Sequence, residues 1–297
     1  ILRDKNYVEP LRAYLRSNRP FLGICLGLQA LFECSEEAPD VSGLGLISGK
    51  IKRFVVDLSV PHIGWNGLNF KQASRIFSGL NGDEKFYFVH SYHVVADDAT
   101  TILTTTDYGC EFVSSIQKGN IIATQFHPEK SGRAGLTLLQ NFLGATAEPI
   151  RPIRSTATTT LAKRIITCLD VRSNDQGDLV VTKGDQYDVR EEGEVRNLGK
   201  PVELAHRYFT EGADEITFLN ITGFRDFPLS DQPMLDVLKR TSEKVFVPLT
   251  IGGGIREFTA SDGTFHSALD VASEYFRSGA DKISIGSDAV YAAEKFH

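Results

Sequence analysis

Residues Phe21 to Phe32 read FLGICLGLQALF, an apolar run that sets a cysteine between Gly23 and Gly27 where a buried strand should give way to a helix. In a pattern of glycine, any residue, nucleophile, any residue, glycine, the small residues permit a sharp strand-to-helix turn. Such a turn pushes the central side chain out of the sheet and faces it with a helix N-terminus, which favours a thiolate. Cys25 is therefore built like an activated nucleophile, and the alternative is a small buried hydrophobe, the usual fate of a free cysteine.

A nucleophile needs a base. Gln125 to Gly132, QFHPEKSG, follows the strand-like run IIATQF and puts His127 two residues before Glu129, so that a carboxylate can orient an imidazole that exchanges a proton with the thiol. A lone histidine before proline is otherwise an ordinary loop residue. His62, His90 and His93 are further histidines, none with a carboxylate at that spacing in a strand-to-turn setting.

Length and composition bound the rest. A chain of 297 residues is long enough for two domains, and its formal charge of -6 comes without a basic block, so no nucleic-acid partner is expected. No stretch approaches the roughly 18 apolar residues of a membrane span. The four cysteines, Cys25, Cys34, Cys110 and Cys168, lack metal-site spacing, and neither a metal nor another cofactor is expected. The chain starts at Ile1 rather than methionine and its last segment, AVYAAEKFH, reads as a helix still in progress, so a fragment is expected.

From Gly144 to Thr160 the sequence GATAEPIRPIRSTATTT carries two prolines and six serines or threonines without an apolar period, as a linker does. The expected organisation is a domain over 1–145, a linker over 146–160 and a second domain over 161–297. Past the linker, KRIITCLDV, EITFLNI, VFVPLTI and KISIG are nearly all apolar and alternate with helical patterns, which implies a parallel sheet covered by helices.

GICLGLQALF and FHPEKSG, with IGWN at Ile63 to Asn66 and YFVHSY at Tyr87 to Tyr92 between them, resemble the class I glutamine amidotransferase family. That resemblance implies a doubly wound α/β domain in which Cys25 attacks the glutamine side-chain amide, His127 moves the proton, Glu129 orients His127, and Gln29 helps bind the glutamine or the oxyanion. The second domain, through LAKRIITCLDVRSNDQGDLVVTKGDQYDVR, PLTIGGGIR and GADKISIGSDAV, resembles the cyclase of the imidazole glycerol phosphate synthase family, nearest to its fused fungal and plant form. It implies a (β/α)8 TIM barrel of which about the first half is given.

In such a barrel the active site lies at the C-terminal ends of the strands. Asp170, Lys183, Gly252, Gly253, Gly254, Gly286 and Ser287 all fall at or just after predicted strand ends. Successive glycines let backbone N–H groups approach a phosphate, and the Gly286, Ser287 turn offers another donor at a helix start. The bland readings are a flexible loop for the glycines, a cap for Asp170 and an exposed lysine for Lys183. The resemblance makes Asp170 the cyclase acid/base and the glycines with Ser287 the phosphate cradle. Lys183 would then hold substrate or order its loop.

Arg164, Glu215 and Lys282 lie near the starts of their strands. Surface ion pairs are the default reading; the resemblance makes them members of a charged ammonia gate.

The expected activity is thus bifunctional: glutamine hydrolysis feeding ammonia, by docking of the two domains within one chain, to the cyclisation of a phosphorylated aminoimidazole ribonucleotide in histidine biosynthesis. A glutaminase serving another synthase and a non-catalytic relative are the alternatives. The compartment would be the cytoplasm, or the plastid in a plant.

Overall fold

The computed structural model describes residues 2–144, 160–174, 178–182, 190–191, 194–195, 198–221, 233–260, 262–294 and 296, with the side chains of 190, 191, 194, 195, 287 and 288 left out of account. The predicted linker, apart from its last residue, lies outside them. Contacts divide the chain into two units, Ile1–Lys163 and Arg164–His297.

The first unit opens with α1 (Val8–Arg16), β1 (Phe21–Ile24) and the one-turn α2 (Leu26–Gln29), followed by β2 (Cys34–Ser35), β3 (Gly49–Arg53), β4 (His62–Asn66) and β5 (Asn69–Phe70). Then come β6 (Phe86–His90), β7 (Tyr92–Ala96), β8 (Ile102–Asp107), β9 (Glu111–Lys118), β10 (Ile121–Thr124) and α3 (Gly132–Phe142). The main sheet runs β1-β10-β9-β7-β3-β2, with β8 joining β9 and β5, while β4 and β6 pair separately.

Alternation along the central strands sends side chains to two faces. Ile121 and Ala123 join Leu15 of α1, Leu28, Leu31, Phe32 and Ile51 in one buried cluster. Ile122 instead joins Leu138 of α3, Ile76, Phe86, Phe88 and Phe126 in another. Helices thus cover both faces of the sheet at β10, where Ile121, Ile122 and Ala123 are all buried.

The pairing that positions the site is parallel: Phe21, Leu22, Gly23 and Ile24 of β1 face Ile121, Ile122, Ala123 and Thr124 of β10. The ladder continues one step further, with the Cys25 N–H donating to the Thr124 carbonyl at 2.7 Å. Chain reversal follows at Cys25 itself, whose φ of 51° and ψ of -101° lie in a region L residues seldom occupy. The sequence motif suggested that the glycines take up the turn. Gly23 instead serves close approach, because a Cβ there would lie 2.8 Å from the Gly27 carbonyl carbon and oxygen, whereas a Cβ on Gly27 would meet nothing within 4 Å.

The second unit contains β11 (Ile166–Ser173), β12 (Leu179–Thr182), β13 (Arg190–Glu191), β14 (Glu194–Val195), α4 (Pro201–Glu211), β15 (Glu215–Asn220), α5 (Pro233–Ser242) and β16 (Leu249–Gly252). It ends with β17 (Phe258–Thr259), β18 (Phe265–His266), α6 (Ala268–Arg277), β19 (Lys282–Ser284) and α7 (Ser287–Glu294). Its main sheet runs β12-β11-β15-β16-β19, parallel except for the β11–β12 hairpin. Strand and helix alternation with parallel pairing is the half-barrel unit expected from the sequence. Leu169, Val171, Ile216, Phe218, Leu249 and Ile251 are buried, as are Ala205, Leu238 and Val271 of α4, α5 and α6.

Gly23→Ala should cost about 1–3 kcal/mol of stability, the usual penalty for overpacking, because backbone rather than a flexible side chain stands in the way. Urea unfolding of the variant against the parent measures it, and an unchanged midpoint would show that α2 moves aside freely.

Candidate active site

Because β1 and β10 run parallel in register, their C-terminal ends lie side by side, and each hands the chain to one half of the site. Cys25 leaves β1. His127 leaves β10, with its N–H on the Tyr87 carbonyl at 2.9 Å. Ser131 pins the same turn, its hydroxyl donating to the His127 carbonyl at 2.6 Å and accepting from the Tyr87 N–H at 2.9 Å.

The structure brings Cys25, His127 and Glu129 together. The His127 Nδ1 lies 2.7 Å from Glu129 Oε1, and the ring also hydrogen-bonds the Cys25 sulfur. Burial alone would push this imidazole down. The hydrogen bonds the ring donates to the Cys25 sulfur and Glu129, with the charge of both, overcome that and hold it up to about 10. A ring kept protonated beside a sulfur is the arrangement a thiolate and imidazolium pair needs.

The other histidines of this unit do different work. His62 and His90 are buried with Nδ1 and Nε2 3.2 Å apart, and His62 stacks on Tyr108 at 4.0 Å and Phe88 at 4.9 Å. Burial lowers them to about 4 and about 3, so they are neutral core groups.

Two expectations change on contact with the geometry. The helix facing Cys25 is a single turn, so its dipole is far smaller than the motif implied. Gln29 is buried, and its Nε2 donates to the Tyr92 carbonyl and to Gln125 Oε1, both at 3.1 Å. Its two N–H groups are therefore committed, and only its oxygen is left to meet a substrate. Sequence reading passed over Gln125, whose Nε2 donates to Cys25 Sγ at 3.5 Å. The signal was an amide inside the apolar run IIATQF.

In the second unit, residues facing each other across parallel strands share a side. Ile166 faces Glu215, Cys168 faces Thr217 and Asp170 faces Leu219; Leu219 faces Gly252, and Thr250 and Gly252 face Lys282 and Ser284. One face therefore carries Glu215 and Lys282 at the strand starts and Asp170, Gly252 and Ser284 towards the strand ends, about 13 Å apart at the usual rise per residue.

At the starts, Glu215 is buried between two cations. Lys282 Nζ hydrogen-bonds Glu215 Oε2, and Arg164 Nε lies 2.7 Å from Oε1 with its N–H aimed off the hydrogen-bond direction. Asp170 is not the last residue of its strand as the sequence suggested, because the hairpin with β12 extends β11 to Ser173. It sits one residue short of the end of the ladder with β15, where Val171 faces Asn220.

Gly252 ends β16, and Gly253 and Gly254 follow with φ of 90° and 71°. A Cβ on Gly253 would lie 2.2 Å from the Asn220 carbonyl oxygen, so only glycine fits there. Gly286 precedes Ser287, the first residue of α7. Lys183 lies outside the described residues.

Two family models match: "Glutamine amidotransferase class-I" over residues 3–145 and "Histidine biosynthesis protein" over residues 164–296. Across its whole length the chain is 58% identical to "Imidazole glycerol phosphate synthase hisHF, chloroplastic" of Arabidopsis thaliana and 56% identical to the hisHF protein of Schizosaccharomyces pombe. The chain belongs to the imidazole glycerol phosphate synthase family. It spans 51% and 58% of those two relatives. Its first part alone, 48% of the chain, is 50% identical to the family's HisH subunit from Aquifex aeolicus and covers 68% of that protein. Some relatives are named as a HisH subunit that matches the amidotransferase part alone. Among the described residues no helix is long and apolar enough to cross a membrane.

Glu129→Gln should lower the His127 pKa by about 1–2 units, since it removes a negative charge from Nδ1. Imidazole NMR titration checks the direction; an unmoved His127 would show that Glu129 does not hold the ring.

Proposed function

We propose that the protein carrying this chain hydrolyses glutamine at Cys25 and uses the ammonia to form imidazole glycerol phosphate and an aminoimidazole carboxamide ribonucleotide. The observation that carries the glutaminase half is the convergence of Cys25, His127 and Glu129 from two parallel strand ends.

The Cys25 thiolate attacks the side-chain amide carbon of glutamine, forming the S–C bond of a tetrahedral intermediate. The intermediate's oxyanion can meet the N–H of Leu26, which has no intrahelical acceptor at the first position of α2. His127, protonated at the outset, gives its proton to the departing nitrogen as the C–N bond breaks, so ammonia and a thioester result. Water then adds to the thioester while His127 takes its proton, and glutamate leaves as the C–S bond breaks. Throughout, Glu129 fixes the ring through Nδ1, and the free Gln29 oxygen suits the substrate's ammonium rather than its oxyanion.

In the cyclase half, Asp170 acts as proton donor and acceptor for ring closure. The backbone N–H groups around Gly253 and Gly254 and at the start of α7 hold phosphate. Glu215, Arg164 and Lys282 stand at the other end of the same strands as the ammonia entrance. Lys183 holds the substrate or orders its loop. The second domain disfavours a glutaminase for an unrelated synthase.

The test uses the full-length protein with Cys25→Ser. Cyclase turnover should vanish with glutamine and persist with ammonium salts as nitrogen source. Turnover with both sources would refute Cys25 as the nucleophile, and loss with both would refute an independent cyclase site.

A further inference from the structure

The buried amides beside Cys25 can be oriented without seeing a hydrogen. The Tyr92 carbonyl can only accept, so the atom of Gln29 that lies 3.1 Å from it must be the amide nitrogen. That nitrogen's second hydrogen points to Gln125 at 3.1 Å, which makes the facing atom of Gln125 its oxygen. The far end of the Gln125 amide, 3.5 Å from Cys25 Sγ, is then an N–H donor. Reversing Gln29 would set oxygen against the Tyr92 oxygen, and reversing Gln125 would set nitrogen against nitrogen. Only one arrangement satisfies the chain.

The anchor of the chain is itself doubly held. His90 Nδ1 lies 2.8 Å from the same Tyr92 oxygen and so carries a hydrogen, leaving its Nε2 to accept from His62 Nδ1 at 3.2 Å. Gln125 is fully buried, so water cannot take over its bond to the sulfur.

We propose that Gln125 is a second hydrogen-bond donor to the Cys25 sulfur, beside His127, and that Gln29 is a positioning residue that fixes the direction of the Gln125 amide. The inference rests on Cys25 being the nucleophile. A donor aimed at sulfur favours the anion over the thiol. His127 must surrender its proton during turnover, whereas an amide cannot, so Gln125 holds the sulfur through every stage in which His127 is neutral. That stage is the thioester, which lasts from the departure of ammonia until the attacking water gives its proton to His127.

The experiment follows alkylation of Cys25 by iodoacetamide across pH in the full-length protein, read by mass spectrometry on the Cys25 peptide so that the other cysteines do not contribute. In Gln125→Met the midpoint should rise by about one unit, the size expected for losing a hydrogen bond to a charged group. Gln29→Met should move the midpoint the same way by less, although iodoacetamide needs no glutamine site. Near-ultraviolet circular dichroism establishes that each variant is folded, and if Gln125→Met is not, Gln29→Met decides alone. A midpoint unmoved in a folded variant overturns the proposal. A parent protein whose Cys25 reacts like a free thiol, with a midpoint near about 8.5, overturns the nucleophile reading and the proposal together.

Discussion

The parallel register of β1 on β10 is the constraint on which the amidotransferase half depends. Two strands far apart in sequence end at the same level, and the ladder is carried one residue beyond β1 by the Cys25 N–H on Thr124. A slip of one residue would turn Ile122 from the face of α3 to the face of α1 and carry Gln125 and His127 away from the sulfur. Packing and chemistry are thereby specified by the same contacts. The apolar alternation that builds two cores also fixes where the reactive groups meet.

The barrel half uses the same device with a different result. Parallel pairing with matched registers lines up a single face on which charges occupy one end and Asp170 and the glycines the other. A buried carboxylate between an arginine and a lysine is costly to desolvate, and such pairs are weak evidence for stability. Glu215 stands there, between Arg164 and Lys282, where an apolar residue would pack without that cost.

Much of this was legible in the sequence where the signal is local. GICLG and FHPEKSG each compress a strand end, a turn and a reactive group into a few residues, so Cys25, His127 and Glu129 could be named before any coordinates. The strands of the second unit were legible because strands buried on both sides leave uninterrupted apolar runs. What was not legible depends on distant partners. Nothing in GICLG shows that Gly23 answers to Gly27 while Cys25 takes the strained backbone, and nothing near Gln29 shows that its amide is already committed to Tyr92 and Gln125. The extension of β11 past Asp170 escaped for the same reason, since it exists only through the hairpin with β12.

The neutral histidine pair beneath Tyr92 makes the core a proton ledger. Folded, His62 and His90 bind protons only near pH 4 and pH 3, whereas an unfolded chain takes them up near its ordinary value of 6.5. As pH falls through that window the unfolded state gains protons the folded state refuses, so the two histidines withdraw stability on acidification and restore it above about pH 6.5. The acid limit of the amidotransferase fold is therefore written partly into its interior, in the same residues that anchor the amides leading to the sulfur.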